Sequence, residues 1–89
     1  KINNENQASL VEAAEANVKV QTAQMRSAVN VAVKNAMEDA RTNPEGAMQN
    51  VKTMLQAVRN NRVLSEADRA IMSAELERTG QYIEQESEK

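Results

Sequence analysis

Eighty-nine residues leave room for one small domain, and a chain of that size buries only about 60–65% of the surface its unfolded form exposes, so its core is thin. With no His, Cys, Trp or Phe and a single tyrosine, Tyr82, it lacks the commonest metal ligand and proton shuttle, any thiolate and any disulfide, and core volume must come from Ala, Val and Met. A formal net charge of −2, with Lys and Arg spread from end to end, offers no general attraction for nucleic acid or an anionic membrane.

No apolar run approaches the roughly 18 residues that a membrane span needs, and the opening KINNENQASL is polar and unlike a signal peptide. Beginning at Lys1 and not at Met, the chain reads as an excised domain or a processed product. Compartment is not legible.

The first helix is expected over residues 9–41. Ser9 and Glu12 form a capping box, in which the serine oxygen accepts an orphan backbone N–H and the glutamate reaches back to the cap. Apolar residues then recur at Val11, Ala14, Val18, Met25, Val29, Ala32, Ala36 and Ala40, in steps that keep to one helical face. Glu15 and Lys19 stand in the favourable order, acid before base at four apart. Gln21 and Thr22 interrupt the stripe and read as solvent-facing. Thirty-odd residues make a rod of about 48 Å, long for so small a chain.

The stretch ARTNPEG, residues 40–46, reads as a corner. A residue before proline is pushed out of the helical region, while proline suits the first helical turn, where its missing N–H costs nothing. Asn43 is then the cap, Pro44 the first residue of a second helix over 44–59, and Glu45 the anion that complements its positive end. One glycine beside an acid is the wrong chemistry for a phosphate cradle, and Asp39 to Glu45 lacks the alternating oxygens of a calcium loop. Met48, Val51, Leu55 and Val58 give the second helix a clean stripe, which Met54 and Ala57 widen. Asn60 and Asn61 tolerate the left-handed conformation that ends helices.

Ser65, with Asp68 three residues on, caps a third helix over 66–83, and Glu66 also suits its positive end. Its core sector takes in Ala67, Ile71, Met72, Leu76, Thr79 and Ile83. Gly80 weakens the last turns. Glu84, Glu86 and Glu88 at the negative helix end predict a frayed tail over 84–89.

Short connections make consecutive helices antiparallel neighbours, so the expected architecture is all-α: an up-down-up three-helix bundle with a long first helix, forming a single domain over 1–89. The alternative is a long hairpin, in which the third helix continues in the direction of the second after a break at NNRVL. In the bundle, Leu10, Val11, Ala14 and Val18 lie beyond the reach of the second helix and make the candidate interface, to be covered by self-association or by a partner helix.

The remaining features have plainer readings. The five methionines are core filler, and Tyr82 lies on the bundle edge with its hydroxyl wet. Glu75 and Glu77, two apart, fall on different sides of a helix and make no acid–base pair. No catalytic, cofactor-binding or metal-binding residue is expected, and no small-molecule substrate. Lys52, Arg59 and Arg62 read as a solvated helix face, with weak nucleic-acid binding as the alternative.

The expected function is a non-enzymatic helical module for protein–protein interaction or assembly: an oligomerisation, scaffold or docking domain of a larger protein. In composition alone (few aromatics, many Asn and Gln, no Cys, one dominant helix) the chain resembles helical parts of bacterial secretion appendages and phage assemblies. That resemblance implies a structural helical spacer.

Overall fold

A computed structural model of the chain describes the backbone of residues 2–89 and the side chains from Glu12 onward. The chain folds into three helices, α1 (Ile2–Asp39), α2 (Pro44–Arg59) and α3 (Glu66–Ser87), each packed on the other two. Arg26 reaches Asp68 and Arg41 reaches Glu86, so residue numbers rise together along α1 and α3 and the two run parallel, with α2 antiparallel to both. This is the up-down-up bundle and not the hairpin. Its extents are 67 × 18 × 14 Å, and its radius of gyration is 17.5 Å, against about 12 Å for a compact chain of this length. The excess is α1.

The α1–α2 corner follows from four residues. The Asn43 backbone is non-helical, with φ −148° and ψ 68°, and its side-chain oxygen accepts from the Gly46 N–H at 3.1 Å. Pro44 holds the first helical position, Glu45 lies in the first turn, and the Ala47 N–H donates to the Asn43 carbonyl at 2.9 Å. Such a cap is worth about 1 kcal/mol. Ala36, Ala40 and Ala47 are fully buried around the corner, where side chains this small let the two rods converge.

The α2–α3 connection differs from the expected one. No described residue has positive φ, and Asn60 closes α2 in the right-handed region at φ −88° and ψ −4°. Asn61 works instead through its side chain, whose oxygen accepts from the N–H groups of Val63 at 2.9 Å and Leu64 at 3.3 Å, while its carbonyl accepts from the Arg69 guanidinium at 3.0 Å. This Asx turn carries Leu64 into the core at 3% exposure. Ser65 then caps α3, its hydroxyl accepting from the Asp68 N–H at 3.1 Å.

The core is drawn from all three rods and the corner: Val29 and Ala36 from α1, Ala40 from the turn after it, Ala47, Val51 and Val58 from α2, and Met72, Leu76 and Ile83 from α3. On α3 the buried set narrows to Met72, Leu76, Thr79, Gly80 and Ile83, leaving Ala67 exposed and Ile71 58% exposed. Ala57 on α2 is exposed as well, and Ala47 is buried in its stead. Thr79 tolerates burial because its hydroxyl donates to the Glu75 carbonyl at 2.8 Å. Gly80 faces α2 near Met48 and Val51, and the helix passes through it unbroken.

Both outer helix ends lie further out than expected. α1 starts at Ile2, so Ser9 is interior and not a cap. Residues 2–8 contain neither Pro nor Gly, and a capping box permits a start without forcing one. α3 runs to Ser87 because Glu86, whose side chain is only 8% exposed, accepts from Arg41 at 3.0 Å and pairs with Lys89 at 3.2 Å. The guanidinium comes from the α1–α2 corner. A tertiary cation has removed the penalty of an acid at a negative helix end.

Candidate interaction surface

At 1.5 Å per residue α1 is about 57 Å long, whereas α2 covers about 24 Å and α3 about 33 Å of it. α3 begins level with Arg26, where the guanidinium lies 3.4 Å from Asp68. Every side chain from Glu12 to Gln21 is exposed, Thr22 and Met25 are half-buried, and Val29 is the first α1 residue in the core. The half of α1 before Thr22 therefore projects past both partners as an arm.

Of the four candidate interface residues, Ala14 and Val18 are exposed on this arm, Val18 at 45%, while the side chains of Leu10 and Val11 lie outside the described residues. Ala14 and Val18 line a shallow apolar recess edged by Glu15 and Lys19. A second recess continues from Val18 past Thr22 to Arg26 and Asp68. Their line extends the stripe that Met25, Val29 and Ala36 turn toward the core, because residues three, four and seven apart return to one side of a helix. The arm thus carries the apolar face of the bundle into solvent.

The cations expected to form a basic strip are separated. Arg59 pairs with Glu77 across α2 and α3 at 2.6 Å, leaving Lys52 and Arg62 as exposed single charges. Glu77 has its partner in Arg59, and Glu75 is half-buried beside Arg78 and Tyr82. A further ion-paired group, Arg41, Glu86 and Lys89, lies at the other end of the molecule. Hydrogen bonds from Arg41, and secondarily from Lys89, hold the Glu86 carboxyl below the ordinary glutamate range, and the same bond pushes Arg41 up.

Among the described residues no three acidic side chains gather closely enough to hold a metal ion, and no helix is long and apolar enough to cross a membrane. Periodicity had not singled out two exposed valines on α1, Val20 at 53% and Val31 at 55%, which stand off the core-facing stripe. The signal that finds them is where α1 carries charge. No family model matches the chain, and neither does any curated protein or solved structure.

Proposed function

We propose that the chain is a non-enzymatic helical module for protein–protein interaction or assembly, and that it works through the projecting half of α1. One observation supports this reading: a helix arm with every described side chain up to Gln21 exposed continues the apolar face of the bundle. An isolated helix of some 20 residues is marginal in water, since most helical stability comes from packing an amphipathic face. A partner helix laid along Ala14 and Val18 would supply that packing.

The test is sedimentation equilibrium over a wide concentration range, together with a doubly substituted chain, Val11→Glu with Val18→Glu. The expected result is association in the parent chain that the double substitution abolishes, with bundle helicity unchanged by circular dichroism. A concentration-independent monomer whose binding is indifferent to both substitutions would overturn the reading.

A further inference from the structure

The projecting half of α1 is uneven in its intrinsic preference for helix. Residues 12–16 read EAAEA, all good helix formers, whereas residues 17–22 read NVKVQT, in which Asn17, Val18, Val20 and Thr22 are among the weaker ones. Valine and threonine lose side-chain freedom against the preceding helical turn, and asparagine offers the backbone competing hydrogen bonds. Each is about threefold less ready to be helical than alanine. The same types recur further on as Val29, Asn30, Val31 and Val33, but there Val29 is buried, Val33 packs against the core, and α2 and α3 flank the helix. Residues 17–21 are exposed and Thr22 is half-buried. Among the described residues, the first side-chain bond that α1 makes to another helix is that of Arg26 to Asp68. The weak run therefore sits where the helix leaves the bundle, with little packed on it.

Extending a helix multiplies its weight by about 1–1.6 for each good helix former. A penalty of about threefold lowers that factor to about one-half at each of the four weak positions, so crossing residues 17–22 is unfavourable by roughly tenfold. The three alanines of residues 12–16 recover roughly fourfold of it. Helix and coil are thus near balance in the arm. We propose that residues 17–22 are a weak link at which the arm opens and re-forms, and that occupation of the Ala14 and Val18 face closes it. A partner helix packed there supplies to residues 17–22 what α2 and α3 supply to Val29 and Val33. The affinity of the arm is then set in part by residues that never touch the partner, because only a helical arm presents the face and the observed affinity scales with its fraction. Val20 is such a residue. It stands nearly opposite Val18, outside the sector of about 100° that holds Glu12, Glu15, Lys19, Arg26 and Lys34, so replacing it disturbs neither the apolar face nor an ion pair.

This inference rests on the reading of α1's projecting half as an interface, and it adds how that interface is regulated. The link is tested in dilute full-length chain by the Cα chemical shifts of residues 12–16, which report their helix-to-coil ratio. Val20→Ala should raise that ratio by about threefold, Asn17→Ala with Val20→Ala by about eightfold, and Val20→Gly should lower it by about twofold. Val31→Ala, the same change at an equally exposed position within the packed half, should leave it unchanged. Fully helical shifts that ignore all of these variants, or an equal response to Val31→Ala, would overturn the link. The coupling is tested by sedimentation equilibrium: Val20→Ala should tighten association by about twofold for each arm engaged, and Val20→Gly should weaken it by a similar factor. Shifts that respond while association stays constant would overturn the coupling and leave the module reading intact. A parent chain that never associates would overturn the module reading, and the shifts would still decide the link.

Discussion

The two halves of α1 are built from the same residues and have different fates. Residues 25–40 set Val29, Ala36 and Ala40 against α2 and α3, and those side chains are at most 1% exposed. Residues 12–21 offer Ala14 and Val18 on the same face, and both are exposed. Nothing in intrinsic propensity separates the halves, since both are rich in alanine and free of Pro and Gly. The difference lies in the lengths of α2 and α3, which end level with the middle of α1. The arm is therefore helical as an extension of a packed helix, where adding a residue is far easier than nucleating a new turn.

The contrast can be broken most forcefully from the packed side. Leu76 is fully buried, so Leu76→Ala should cost about 2–5 kcal/mol, a large share of the stability of so small a domain, whereas Val20→Ala in dilute monomer should stay within about 0.5 kcal/mol. Denaturant unfolding of the two variants measures both. Native-state hydrogen exchange maps the same difference along the chain: amides of residues 12–21 should exchange orders of magnitude faster than those around Leu76. Equal protection would mean that the arm is packed against something.

Within the bundle, the two glycines sharpen the comparison on a smaller scale. A methyl group at Gly80 would meet Met48 at 3.6 Å and Val51 at 3.9 Å, ordinary contact distances, so Gly80→Ala should stabilise by about 0.5–1 kcal/mol through helix propensity. At Gly46 the same group would run into the Asn43 side chain and displace the cap, so Gly46→Ala should destabilise by up to about 1 kcal/mol. Thermal unfolding should show the two shifts with opposite sign.

The smallest effect is one of pH. The Glu86 carboxyl is held below its ordinary range, so it contributes stability above its unfolded pKa and loses that contribution as pH falls through the folded value. The difference in Tm between the parent chain and Glu86→Gln should be present at pH 7 and close below about pH 4. A gap that persists in acid would mean that the Arg41–Glu86 contact does not depend on charge.

What could be read in the sequence was what neighbouring residues decide between themselves. Asn43, Pro44 and Glu45 specify a corner by backbone sterics and capping, and Ser65 with Asp68 specifies a helix start. The α3 end, which escaped, was decided at a distance. Glu86 looks misplaced until Arg41, 45 residues away, is set beside it. Leu64 belongs to no periodic run, and only the Asx turn at Asn61 brings it inside. Ile71 fits the broad α3 sector by angle and is excluded because two flanking helices cover a narrower strip. As to the candidate surface, Ala14 and Val18 were legible as a stripe longer than its partners. Val20 and Val31 were not, because a search for apolar periodicity follows the core-facing side, whereas their flank is marked only by missing charge.

Three arginine–carboxylate pairs reach α3 from elsewhere in the fold: Arg26–Asp68 from α1, Arg41–Glu86 from the α1–α2 corner and Arg59–Glu77 from α2; among the described residues none links α1 to α2. Raised ionic strength screens such exposed pairs and leaves alanine packing alone. Sodium chloride therefore weakens only contacts that α3 makes, on top of the packing of Met72, Leu76 and Ile83 that it leaves in place, so a salt titration should report on α3 and pass over the α1–α2 corner.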